Sequence, residues 1–255
     1  MSKNVGKHVM GTGSNSTSNS RLLMICFLII PFLNAFSQIE NGSTNKESAP
    51  VVVDSLYRED QFYFNFTYNS LLKRPVGISQ EKFSTGLAIG FIRDMPVNQD
   101  RTIAIGTGLG LSYNNYNENL VIMGTGQMPT YAIIDSKASY SKNKITTVLA
   151  ELPLEFRWRT STYESHKFWR IYGGVKFSYL LLDRSVFSDS NGKISVSNNK
   201  DFNKFLYGLY LSSGYNTINV YAYYGLNSIF KKTAVINGEP IAMKSLNIGI
   251  VFYIL

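Results

Sequence analysis

The chain reads as all-β, a closed antiparallel transmembrane β-barrel of about eight strands in up-and-down order, and three observations predict it. Between Gln61 and Leu255 short segments alternate apolar with small or polar residues, the period of two expected of a strand with unlike faces. The apolar parity is rich in Phe, Tyr and Ile, so each strand offers one edge to lipid and the other to a lumen. An apolar stretch near the start of the chain has the layout of a secretory signal. Closure then satisfies every backbone group inside a bilayer that supplies no water. The competing fold, a soluble barrel of the lipocalin kind, wants the reverse parity, apolar inward and polar outward.

Leu22 to Leu33 (LLMICFLIIPFL) follows Arg21 and precedes Ala35-Phe36-Ser37, which puts small residues at −3 and −1 of a cut before Gln38. The run is shorter than the ~20 residues of a spanning helix and carries Pro31, with Asn34 beyond it, which disfavours an N-terminal anchor. Residues 1–37 are therefore a signal peptide with a polar, Ser- and Asn-rich leader. The one cysteine, Cys26, lies inside it, and Ile25 does not suit a lipoprotein cut, so the mature chain is expected to have no disulfide and no lipid anchor. Removal of Lys3, Lys7 and Arg21 lowers the formal charge from +8 to +5. The remaining Lys and Arg are scattered, which argues against nucleic acid and for outer-membrane lipid headgroups or a protein partner.

Residues 38–56 are polar and without period, a flexible periplasmic lead-in to a barrel spanning 57–255. In the first strand Phe62, Phe64, Phe66 and Tyr68 share the lipid parity, and Tyr63, Asn65, Thr67 and Asn69 the lumen parity. The second sets Phe83, Leu87, Ile89 and Phe91 against Ser84, Gly86, Ala88 and Gly90; the third sets Ile103, Ile105, Leu109 and Leu111 against Ala104, Gly106, Gly108 and Gly110. Glycine weakens a strand, so this glycine wall implies sharp curvature or a bulky group packed against it. Further strands are expected over Asn143 to Arg159, Lys167 to Leu182, Lys204 to Asn216, Thr217 to Phe230 and Met243 to Leu255. A barrel of this size has no aqueous pore; side chains fill it, or it holds one small ligand.

Connection lengths alternate. Asp94 to Asp100, Thr160 to Ser165 and Asn216-Thr217 are short and read as periplasmic; Asn114 to Lys142, Asp183 to Asn203 and Lys231 to Ala242 are long and read as external, which places both termini in the periplasm. Trp158 and Trp169 flank one short turn as anchors at the membrane interface.

The candidate functional residues are charges on the lumen parity. With Val148, Ala150, Leu152, Leu154, Phe156 and Trp158 outward, Glu151, Glu155, Arg157 and Arg159 face inward; in the partner strand Trp169, Ile171, Val175 and Phe177 face out, leaving Arg170 and Lys176 inside. These six charges read as a coupled ion-pair network, Glu155 with Arg170 being one candidate pairing, or as a polar socket for a peptide or an anionic group. Pro153 cannot donate to the ladder, so a bulge or bend is expected there. Catalysis finds little support. The mature chain has one histidine, His166, adjacent to a short turn, and Asp183 and Asp189 with Ser185 and Ser188 in an outer loop could be drawn as an acid-assisted hydrolase but are also what loops are made of. No catalytic residue, cofactor, metal site or small-molecule substrate is expected, since one histidine and no cysteine leave too few soft ligands.

Four motifs, YREDQFY (Tyr57 to Tyr63), GFIRDMPVN (Gly90 to Asn98), ELPLEFRWRTS (Glu151 to Ser161) and FWRIY (Phe168 to Tyr172), together resemble the PorT family of Bacteroidetes outer-membrane barrels. The similarity spans about Tyr57 to Leu255. It implies an accessory part of the type IX secretion system, needed for cargo export and, in gliding species, for delivery of motility adhesins, and it carries no catalytic residues. Arg58, Glu59, Asp60, Arg93 and Asp94, at the periplasmic end of these motifs, are the expected contacts with other secretion-system proteins. The alternatives are a small porin-like barrel that passes or binds a solute and a lipid-active small-barrel enzyme.

Overall fold

The computed structural model describes residues 60–135, 138–160 and 169–254. The expected signal peptide and lead-in, Arg58, Glu59 and residues 161–168, which include His166, lie outside the described residues. In chain order the strands are β1 (Gln61–Leu72), β2 (Thr85–Pro96), β3 (Ile103–Tyr116), β4 (Leu120–Gly124), β5 (Pro129–Ile133), β6 (Tyr140–Arg159), β7 (Trp169–Asp189), β8 (Gly192–Ser197), β9 (Phe205–Tyr215), β10 (Ile218–Gly225), β11 (Val235–Ile236), β12 (Glu239–Pro240) and β13 (Lys244–Ile254). No helix occurs among the described residues.

Eight of these close a ring. β1 pairs with β2 and β13, β2 with β3, β3 with β6, β6 with β7, β7 with β9, β9 with β10 and β10 with β13, every pair antiparallel. A closed sheet leaves no ladder edge for lipid to strip of its hydrogen bonds. The register of β1 on β13, from Phe62 opposite Ile254 to Leu72 opposite Lys244, brings the described chain in and out at one rim, with the short turns.

The parity read from the sequence sets the two faces. Phe62 is 53% exposed and Phe64, Phe66 and Tyr68 share its outward side, while Tyr63, Asn65, Thr67 and Asn69 are buried. On β7 the outward residues from Trp169 to Tyr179 are apolar throughout. Ten residues at a rise of ~3.3 Å and a tilt of ~40° climb ~25 Å, the height of an outer-membrane apolar band.

Above that band the strands depart from the expected bounds. β10 ends at Gly225 rather than Phe230, and β7 runs on to Asp189. The segment read as an external loop from Asp183 is thus a hairpin: Arg184 to Asp189 stay paired with β6 and gain β8 on the other side. Leu181 is the extra residue of a register shift between Leu149 opposite Leu180 and Val148 opposite Leu182. The bend expected at Pro153 takes another form. Register is kept there, but β3 pairing lapses at Gly108 and Leu109, and the Thr107 hydroxyl donates to the Pro153 carbonyl at 3.1 Å.

The other long connections fold over the barrel mouth, β4 on β5 and β11 on β12. The second hairpin turns through Asn237 and Gly238 at φ 51° and 83°, the left-handed pair a tight hairpin requires. Together they build an apolar plug in which Phe202 stacks on Phe230 at 4.6 Å and Leu71, Leu120, Ile122, Ile145, Ile241 and Met243 are buried. Carboxamides hold the loops to it: Asn143 Nδ2 donates to the Glu118 and Leu120 carbonyls, and Asn203 Nδ2 to those of Ser228 and Phe230.

Candidate functional site

The lumen is filled in layers below this plug. Nearest the short-turn rim, Asp94 of β2 is the centre of a buried charge cluster. It accepts from Arg157 Nη1 at 2.8 Å and, in a fork, from Arg159 Nη1 at 2.9 Å and Nη2 at 2.8 Å. Arg157 Nε also donates to Glu155 at 2.6 Å, and Tyr210 donates to the second Glu155 oxygen at 2.5 Å. The Arg157 guanidinium lies 4.6 Å from the Tyr172 ring centre, and Arg170 lies 5.7 Å from the rings of Tyr172 and Tyr253. Asp60 fastens this layer to the chain entry by accepting from the Asp94 backbone N–H at 2.8 Å.

In the next layer Lys176 Nζ donates to Glu151 at 2.8 Å and to the Tyr221 hydroxyl at 2.9 Å, within 5.6 Å of the rings of Tyr210, Tyr221 and Tyr223. A neutral layer follows. Thr67 donates to Asn69, Asn69 to Asn114 and Asn114 to Ser112, while Tyr116 pairs with Ser245.

The glycine wall makes room for these groups. A Cβ on Gly106 would lie 2.7 Å from Arg157 Nε, and one on Gly110 would lie 2.0 Å from the Tyr63 hydroxyl oxygen. At Gly106 and Gly110 the bulky neighbour is observed, whereas a Cβ on Gly108 would meet the Phe91 carbonyl oxygen at 1.9 Å, a close backbone approach. Beside these groups lie a cavity of about 30 Å³ at Glu151 and Lys176 and one of about 10 Å³ at Tyr63, each room for no more than a few waters.

At the long-loop end Glu118 has a fully buried side chain and holds Arg74 Nε at 2.9 Å. Burial raises its carboxyl above the usual range, against the lowering influence of Arg74. Burial likewise raises the Tyr131 phenol, which donates to Asp201 at 2.9 Å. No group of three His, Cys, Asp or Glu side chains suited to a metal ion occurs among the described residues.

The profile of the outer membrane protein beta-barrel domain matches residues 36–231. The chain belongs to that family. Its barrel is therefore an outer-membrane one, with the apolar face in lipid. No curated protein matches the chain. Solved structures similar to it include engineered porins of Rhodopseudomonas blastica, at 9% identity and a TM-score of 0.20, with 78% of this chain and all of that chain covered; another variant stands at 10% identity with the same score and coverage.

Among the site residues expected from sequence, Glu151, Glu155, Arg157, Arg159, Arg170 and Lys176 are all buried in the lumen. They do not form one chain of ion pairs: Glu151 with Lys176 and Glu155 with Arg157 are separate pairs, bridged by tyrosines. Glu155 does not pair with Arg170, whose guanidinium lies over aromatic rings. Asp94 is inside a strand and fully buried, not in a turn, while Arg93 points to the exposed outer side. Trp158 and Trp169 are outward at the short-turn rim, and Trp169 packs on Tyr215 at 5.6 Å. Asp183 turns inward and accepts from the Asn199 N–H at 2.9 Å. The sequence reading missed Asp94 as the hub. Extending the inward parity of Gly86, Ala88 and Gly90 by two steps would have found it.

Proposed function

We propose that this outer-membrane barrel is a non-enzymatic accessory or assembly component of the type IX protein secretion system, acting through its rims rather than through its lumen. The observation that carries the reading is the filled interior: charge and tyrosine layers below, an apolar plug above, and cavities of about 30 and 10 Å³ between. A barrel that cannot pass a solute has its surfaces left to work with. The sequence resemblance to the PorT family supports the particular system, and residues of its four motifs meet at this layer: Arg157 and Arg159 pair with Asp94, Asp60 accepts from the Asp94 N–H, and Arg157 lies over the Tyr172 ring.

In this reading the short turns and both chain ends face the periplasm and the plugged end faces outward, following the usual loop asymmetry of such barrels. Trp158 and Trp169 then anchor the periplasmic interface. Asp60 and Arg93, with Arg58 and Glu59 from the same motif, are the residues proposed to meet other secretion proteins, and Asp94 with the Arg157 and Arg159 pair shapes that rim from inside.

A clean deletion tests the assignment. It is expected to leave cargo proteins in the periplasm with lipid A composition unchanged, and the purified protein is expected to add no steady conductance to a planar bilayer. Normal export from the deletion strain overturns the assignment, and stable single-channel steps overturn the closed lumen.

A further inference from the structure

The outward face of β6, β7 and β8 changes character where it rises above the apolar band. Val148 and Leu182, paired across the two strands, end the lipid-facing surface with Tyr113 beside them. Directly above, on the same parity, stand Lys142 and Lys144 of β6, Arg184 of β7 and Lys193 of β8. The seven residues line one open concavity of about 380 Å³. Cross-strand pairs put Thr146 opposite Arg184 and Ser188 opposite both Lys142 and Lys193, so the four cations share one continuous three-strand face. The carboxylate at its edge, Asp183, turns away, with its oxygens on the Asn199 N–H and 3.9 Å from Lys204. Arg184 keeps a neutral partner, donating to the Ser195 hydroxyl at 3.0 Å.

We infer that this face is a binding site for a phosphorylated lipid of the leaflet at the long-loop rim, with its phosphates on Lys142, Lys144, Arg184 and Lys193 and its acyl chains along Val148, Leu182 and Tyr113. Height supports that occupant. Arg184 lies two residues beyond Leu182, the last apolar residue of that lipid-facing surface, which at ~3.3 Å per residue and ~40° of tilt sets it ~5 Å above the end of the apolar face. That is headgroup depth, with acyl-chain depth immediately below. Four cations with no carboxylate turned toward them complement a multiply phosphorylated headgroup, and planar guanidinium suits phosphate. A soluble anion would have no use for the apolar half of the concavity.

Where the long loops face outward, the lipid is one of the lipid A class. The site itself depends only on the membrane band and not on a role in secretion, so the two stand or fall separately. The test uses purified full-length barrel in detergent, with lipid retention read by native mass spectrometry for bis-phosphorylated and for dephosphorylated lipid A. The phosphorylated lipid is expected to bind at least about tenfold more tightly, and the combined Lys142→Gln, Lys144→Gln, Arg184→Gln and Lys193→Gln variant to lose that preference. Heat-modifiable migration of the variant checks that it is folded, and a Lys200→Gln, Lys231→Gln control on another face is expected to keep the preference. Equal binding of the two lipids, or an unchanged preference in the folded quadruple variant, overturns the site. Displacement of the lipid by inorganic phosphate at matched concentration overturns the lipid assignment in favour of a plain anion site.

Discussion

Asp94→Asn is the sharpest perturbation of the lumen. It replaces a carboxylate that takes three guanidinium hydrogen bonds at 2.8 to 2.9 Å with a neutral group of nearly the same volume, so packing is kept and charge is lost. Both arginines are fully buried. Removing one member of a buried ion pair costs about 3–5 kcal/mol because the remaining charge is left uncompensated. The two arginines should not respond alike. Arg157 shares its charge with Glu155, whereas Arg159 turns both terminal nitrogens to Asp94. A double-mutant cycle is therefore expected to give a larger coupling for Asp94→Asn with Arg159→Met than with Arg157→Met, the first near the upper end of the ~0.5–3 kcal/mol seen for neighbours. Urea titration of the folded fraction in lipid vesicles, read as heat-modifiable migration, measures all the terms. A cost for Asp94→Asn of under ~1 kcal/mol, the scale of an exposed pair, would refute the reasoning and mean that water reaches the cluster.

Three further outcomes follow from the same geometry. Gly110→Ala should destabilise by ~1–3 kcal/mol through overpacking and be partly restored by Tyr63→Phe, which removes the hydroxyl 2.0 Å from the new methyl; strict additivity in the same titration would show that the two do not meet. Ile105→Arg and Val175→Arg, outward in the band, should each cost ~2–4 kcal/mol at midplane depth, and wild-type assembly of both would contradict the lipid-facing parity. Glu118 has its folded pKa raised by burial, so its contribution is present below the unfolded pKa and is lost as pH rises through the folded value. Hydrogen exchange of Leu120 to Ile133, corrected for intrinsic rates, should show more protection at mildly acidic than at neutral pH, with Glu118→Gln flattening the difference; protection that grows with pH would mean that the Arg74 bridge dominates.

Much of the barrel was legible because a membrane enforces strict alternation. One step of parity separates lipid from lumen, so Phe62 to Asn69 declare both faces without tertiary information. Lumen charges on β6 and β7 were legible for the same reason. Their partners were not, because pairing depends on registers between strands distant in sequence: Asp94 reaches Arg159 across 65 residues, and Glu155 turns to Tyr210 rather than to Arg170. Tyr63 was read on the lumen parity, but Tyr172, Tyr210, Tyr221 and Tyr253, which fill the interior beside it, were given no place. The plug was missed because long connections were treated as loops, although Asn191-Gly192 and Asn237-Gly238 are strong local hairpin signals.

In the proposed role the barrel works from its short-turn rim. Asp94 is unsuited to test it, since its loss disturbs folding, whereas Arg93 is exposed and leaves the lumen untouched. The direct measurement is cargo export from a deletion strain complemented with Arg93→Ala or with substitutions across Arg184 to Ser197, compared at matched amounts of folded barrel. Export should fall with the Arg93 change and persist with the hairpin changes. Full export with Arg93→Ala, together with loss of export from the hairpin variants, would contradict the claim and move the partner site to the plugged end.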